Sequence, residues 1–328
     1  MKFFKPKFWE NKNNIYSILL IPISIIIQIM ISLKRILISS RKFNIPIICV
    51  GNIIAGGAGK TPIVIKLAEI FKKKGHTVHI IKKQYKNSSK KKIIKVSNNS
   101  PPNIVGDEPL LTAKVTHTWV VKVRSKGIQA AIKKGATLII LDDGYQDYSV
   151  KKDLNILTVN QNQNFGNENI IPAGPLREKI RKGINRADFI FFYGTKNNLN
   201  PYLSESNKPI AYVKIEADKA AVEKIKNKNI LAFCGIAHPE NFFGLLRYYN
   251  FNLIRKFIYP DHYFYSKHDL IKMISESEKK NLSLVTTEKD YVKVNKNFRN
   301  KIFSIPLKIK FNENKFYNFF LKKISADV

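Results

Sequence analysis

Short apolar runs alternate along this chain with longer stretches in which apolar residues recur every three or four positions. Runs at 45–50, 77–81, 93–96, 119–123 and 137–141 read as strands, and 60–74 reads as a helix with Ile63, Leu67 and Phe71 on one face and Gly75 as its stop. Further helices are expected to open at Gly106-Asp107-Glu108-Pro109 and to run from about 127 to 134. Alternation of this kind predicts a mainly parallel sheet with helices on both faces. After a strand at 188–193, the polar run 195–208 reads as a surface loop and 209–215 as an extended connection. A second α/β series follows, with strands at 230–234, 253–258 and 282–286 and helices from about 239 and over 267–280. The pattern predicts an N-terminal segment (1–41), a larger α/β domain (42–215) and a smaller one (216–328) whose last helix returns to the first.

The first segment breaks the alternation. Residues 15–33 carry no charge, and as a helix they would span roughly 28 Å. Ser17, Ser24, Gln28, Arg35 and Ser39 fall within a narrow arc at the helical period, so the helix has one polar stripe. Such a stripe suits a helix lying in a membrane interface or packed on its own domain; a membrane-spanning anchor is the other reading. Lysines mixed with Phe3, Phe4, Phe8 and Trp9 just before it suit a headgroup region.

Composition adds one fact that matters. The formal charge is +33 over 328 residues. That suggests an anionic partner, although lysine, isoleucine and asparagine are all heavily used and part of the charge is explained by composition alone. Cys49 and Cys234 lie in separate apolar runs, without metal-ligand spacing, and read as reduced core residues.

The chemistry concentrates at VGNIIAGGAGKTP, 50–62. Glycines let backbone amides turn toward polyphosphate oxygens, Lys60 supplies a cation for the β- and γ-phosphates, and Thr61 a hydroxyl for Mg²⁺. The helix that follows points its positive end at the same place. The standard loop has a glycine where this chain has Ile54. Downstream, the apolar run 137–141 ends in Asp142-Asp143-Gly144. Carboxylates at a strand end beside a phosphate loop hold Mg²⁺ directly or through water; in isolation the pair also suits a turn cap.

The motifs GNIIAGGAGKTP, GDEP, LDDGYQD, GPLRE, FCGIAHPENF, DHY and TTEKD occur in that order between Gly51 and Asp290. In this the chain resembles the tetraacyldisaccharide 4'-kinase family, which phosphorylates the lipid A precursor. The resemblance implies two unequal Rossmann-like α/β/α domains, the larger of them P-loop NTPase-like, with the active site in the cleft between them. It implies ATP and Mg²⁺ as cofactors, and transfer of the γ-phosphate to the 4'-hydroxyl of an acylated disaccharide 1-phosphate.

Residue by residue, Gly56, Gly57, Ala58, Gly59, Lys60 and Thr61 match the nucleotide loop. Asp107 matches the base for the sugar hydroxyl, and His262 its partner, to be brought to it from the second domain by closure. Asp142 and Asp143 match the metal-side pair, with Glu178 beside them. Arg177 matches a catalytic charge, and Arg124 and Tyr85 match substrate contacts. Where the family has a Ser-Arg-Gly-Tyr-Gly-like stretch, this chain has Lys82-Lys83-Gln84-Tyr85-Lys86, keeping only the tyrosine. Without the resemblance, Asp107 reads equally as a helix cap and His262 as a turn residue.

The expected protein is a monomeric, peripheral enzyme on the cytoplasmic face of the inner membrane. The alternative is a membrane-associated ATPase switch of the partitioning type, which carries a lysine where this chain has Ala55. Nothing resembles a nucleic-acid-binding motif, so no nucleic-acid partner is expected.

Overall fold

The computed structural model describes residues 6–84, 91–225 and 228–326. Eight strands make the larger sheet: β1 (Ile47–Gly51), β2 (Val78–Lys83), β3 (Ile93–Val96), β4 (His117–Val121), β5 (Leu138–Asp142), β6 (Leu154–Asn160), β7 (Phe189–Tyr193) and β8 (Ile210–Tyr212). Their order is β3-β4-β2-β5-β1-β6-β7-β8. β1 therefore lies between β5 and β6, both parallel to it. The chain leaves β1 toward one side and later crosses to the other, which makes the carboxyl end of β1 a topological switch point, where open α/β sheets bind ligands. Each residue of β1 is buried, as a continuous apolar run in a doubly covered sheet must be.

A ribbon pairs β9 (Lys214–Ala217), before a smaller parallel sheet in the chain, with β14 (Leu307–Lys310), after it. That sheet is built from β10 (Asn229–Cys234), β11 (Asn252–Ile258), β12 (Ser283–Thr287) and β13 (Phe303–Ile305), in the order β11-β10-β12-β13. The strand at 209–215 thus divides into β8, which completes the larger sheet, and β9. Three strands fall where the pattern placed none. β6 reads LNILTVN, and its Asn155 and Thr158 interrupt the apolar run although the strand is central. β13 and β14 have only three and four residues.

The chain divides into two compact units, neither of them continuous. The first comprises Met1–Lys95, Val115–Lys214 and Lys310–Val328; the second comprises Val96–Lys114 and Ile215–Ile309. This corrects the expected division at 96–114, which holds GDEP and belongs to the smaller unit. The return of the C-terminus has a plain cause. In the helix Glu313–Ala326, Phe316 and Phe320 are buried. They pack edge to face on Phe71, with centroids 6.2 and 4.6 Å away, and Phe316 also meets Phe189 at 5.1 Å.

Helix α1 (Ile15–Leu37) is amphipathic in an inverted sense. Its polar stripe faces protein: Ser24 Oγ donates to the Ile170 carbonyl at 2.8 Å and accepts from the Ala173 N–H at 3.1 Å, and Asn167 donates to Ser17 Oγ at 2.9 Å. The apolar side is left outside, with Leu19 67%, Ile26 58% and Met30 64% exposed.

Candidate active site

In the first unit, the loop after β1 is held open by its neighbours. Residues 53–55 lie against the GPLRE segment: the Ala55 N–H donates to the Pro175 carbonyl at 2.7 Å and the Arg177 N–H to the Ile53 carbonyl at 2.8 Å. Ile54, buried and bridged to Leu176, therefore needs no glycine's freedom. The same pairing sets Arg177 and Glu178 beside the loop. Gly59 does need to be glycine. Its φ is 73°, and a Cβ there would come within 2.6 Å of the Tyr193 ring, whose hydroxyl donates to the Gly59 carbonyl at 2.7 Å. From Lys60 the helix α2 (Lys60–Lys73) begins, with Thr61 buried in its first turn.

The charges at this strand end pair crosswise. Lys60 Nζ donates to Asn52 Oδ1 at 3.1 Å and lies 3.4 Å from Asp143 Oδ1. Arg177 reaches the same carboxylate at 2.9 Å. Asp142, at the end of β5, is paired with Lys82 across β2 at 2.8 Å, both side chains buried. Asp143 itself has a φ of 53°, a conformation few residues with side chains adopt and one concentrated at functional turns. Arg124 is 3% exposed; it donates to Asp147 at 2.7 Å and to the carbonyls of Asp142 and Asp143. It clamps the aspartate turn from behind, which gives it a shaping role rather than that of an open substrate contact. Asp147 is held down to about 2: burial pushes it up, and Ser149 and Arg124 outweigh that.

Glu178 Oε1 accepts from Arg186 at 2.7 Å and from Gln146 at 3.0 Å, while its Oε2 is buried without a hydrogen-bond partner among the described residues. Among the described residues no three carboxylate, histidine or cysteine side chains converge as a ready-made metal cage. One or two carboxylates with a threonine hydroxyl are what Mg²⁺ takes when phosphates and waters supply its other ligands, so the residues present fit that ion. Tyr85 lies outside the described residues.

In the second unit a separate cluster forms. Asp107 opens the helix Asp107–Ala113 and is 5% exposed. His262 Nδ1 lies 2.9 Å from Asp107 Oδ2. Both belong to this unit, which corrects the expectation that His262 must come to Asp107 from another domain. His262 has a φ of 57°, and the turn it sits in is tied by its N–H to the Gly235 carbonyl at 3.2 Å. Burial alone would raise the Asp107 pKa; the His262 hydrogen bond and the charge of Lys289 outweigh it and hold the carboxyl well below the usual range.

Lys289 was not among the expected site residues. Its Nζ lies 3.1 Å from Asp261 Oδ1, 3.4 Å from His262 Nε2 and 3.9 Å from Asp107 Oδ2. The signal was present in TTEKD at a strand end, where Thr287 caps the short helix Glu288–Tyr291 that carries Lys289.

Comparison with known proteins gives the family of the chain. A family model described as tetraacyldisaccharide-1-P 4'-kinase (LpxK) matches residues 16–325. A tetraacyldisaccharide 4'-kinase of Rickettsia bellii is 37% identical over 299 residues, covering 90% of each chain. One of Gluconobacter oxydans is 33% identical over 299 residues with the same coverage. The crystal structure of LpxK from Aquifex aeolicus in complex with ATP superposes with a TM-score of 0.78 at 27% identity, over 94% of this chain and 99% of that one. The chain therefore belongs to the tetraacyldisaccharide-1-P 4'-kinase family.

Proposed function

We propose that this protein transfers the γ-phosphate of ATP to the 4'-hydroxyl of tetraacyldisaccharide 1-phosphate. The reading is carried by the 2.9 Å pair of Asp107 and His262, in a chain whose other unit ends its central strand in a phosphate loop. An ATPase switch has no use for a buried carboxylate dressed for proton transfer, and the family assignment also goes against that alternative.

The first unit takes the donor. The amides of Gly56 to Gly59 and Lys60 cradle the phosphates, as suits a relative crystallised with ATP. Thr61, Asp142, Asp143 and Glu178 would hold Mg²⁺, which would supply positive charge against the transferring phosphoryl group. Arg177 already faces the Asp143 carboxylate and supplies a second cation for the same purpose. Asp107 takes the acceptor's proton. The sugar oxygen bonds to the γ-phosphorus, its O–H proton passes to the Asp107 carboxylate, and the bond from phosphorus to the β-phosphate oxygen breaks to release ADP.

The outward apolar side of α1 seats the enzyme in a membrane interface, where acyl chains stay in lipid. Because ATP is cytoplasmic, that interface is the cytoplasmic face of the inner membrane.

The test is transfer of labelled γ-phosphate to a lipid A disaccharide 1-phosphate in mixed micelles. Labelled lipid is expected from wild type, with losses of about a hundredfold or more in Asp107→Ala. ATP hydrolysis without lipid product would overturn the reading.

A further inference from the structure

Resting on that reading, we propose that Lys289 is a positioning residue of the acceptor-side pair: its ammonium fixes the tautomer of His262 and keeps Asp107 in the carboxylate form that receives the acceptor's proton.

The geometry leaves the imidazole little choice. A lysine ammonium has three donors and no acceptor. His262 Nε2 faces Lys289 Nζ at 3.4 Å, with Asp261 Oδ2 farther off at 3.7 Å. Nε2 must therefore present its lone pair, and the ring hydrogen sits on Nδ1. From there it donates to Asp107 Oδ2, while Asp107 Oδ1 accepts the Glu108 N–H at 2.9 Å. Both carboxylate oxygens thus receive hydrogen bonds that favour the anion, and each keeps a lone pair for the incoming proton.

Lys289 holds this place because the frame behind it is rigid. Thr287 Oγ1 accepts from the Asp290 N–H at 3.0 Å and donates to Asp290 Oδ2 at 2.7 Å. Asp290, fully buried, also receives the Tyr265 hydroxyl at 2.9 Å and the Lys293 ammonium at 2.7 Å. Lys293 reaches the Gly235 carbonyl, the same oxygen that accepts the His262 N–H. One network therefore anchors both the helix bearing Lys289 and the turn bearing His262.

Among the described residues of this unit, the charged groups acting on the pair and on Lys289 include Lys293, Glu108 and Asp261. Burial would lower the pKa of Lys289, and Asp107, Glu108 and Asp261 more than reverse it, so Lys289 stays a cation. Lysine and aspartate keep one another charged in a site dry enough to discharge either alone.

The test compares full-length wild type with Lys289→Met, Lys289→Gln and Lys289→Arg; the Met and Gln variants guard against loss of fold in either. Nitrogen-15 NMR of histidine-labelled protein, with His262 assigned by its disappearance in His262→Gln, reads the tautomer directly. Wild type and Lys289→Arg should show the Nδ1–H form, and the Met and Gln variants a mixture. In kinase assays the acid limb of kcat/KM should move up by about one pH unit in Met and Gln, with KM for ATP unchanged. An unchanged imidazole spectrum with an unmoved acid limb would overturn the proposal. If wild type transfers no phosphate, the kinase reading fails, and the spectrum still decides the tautomer.

Discussion

Asp142 and Asp143 in the first unit and Asp107 in the second are all buried or nearly buried carboxylates, yet they are partnered differently. Asp142 and Asp143 meet the cationic side chains of Lys82, Lys60 and Arg177. Asp107 meets an imidazole first and a lysine second, at 2.9 and 3.9 Å. In the proposed function the first arrangement would offer its negative charge to a metal ion. The second sits beside a group able to share a proton. On the proposed roles, type of partner, more than burial, separates a metal-side carboxylate from a base.

Substitution should separate the two regions most strongly in activity. Lys60→Ala is expected to lower transfer about a thousandfold and to weaken ATP binding measured by titration. His262→Ala should lower transfer about a hundredfold with ATP binding unchanged. Equal damage to ATP binding in both would erase the distinction. Stability comes next. Each region has a buried ion pair behind it, Lys82–Asp142 in the first unit and Lys293–Asp290 in the second. Lys293→Met and Lys82→Met each strand a buried carboxylate, a cost of about 3–5 kcal/mol in chemical denaturation. Hydrogen exchange should place the loss in the second unit for the former and in the first for the latter.

The smallest effect is acid sensitivity. His79 is fully buried in the first unit, its Nδ1 accepting from Trp119 Nε1 at 3.2 Å, and burial with His117 beside it pushes it down to about 4. It stays neutral in the fold while the unfolded chain protonates below about 6.5. Stability from this residue is therefore complete above that pH and drains as pH falls toward 4. By pH 5 the first unit should have lost about 1–2 kcal/mol, read as faster exchange of its core amides, and His79→Leu should abolish the drift.

Local rules were enough to read β1, its loop, α2 and the strand ending in Asp142, because each combines a short apolar run with residues whose chemistry is tied to position. The pairing of Asp107 with His262 needed more than local rules. Their separation of 155 residues leaves no periodicity to connect them, and assigning GDEP to the larger domain followed from its place in the chain. β6 escaped because the polar Thr158 bonds within the sheet, its Oγ1 donating to the Gly51 carbonyl at 3.1 Å, a destination visible only once strands are paired. Lys289 was hidden by abundance, one lysine in a chain crowded with them. The serine stripe of α1 was visible, but only the contacts with 167–173 show that it faces inward.

The two discontinuous units carry a consequence for synthesis. Asp107 leaves the ribosome 155 residues ahead of His262, and at roughly 5–20 residues per second that is a wait of about 8–30 s. Phe71 waits longer still for Phe316 and Phe320. Neither unit can close on the nascent chain until most of the other has been made, so the protein reaches its final form near the end of translation.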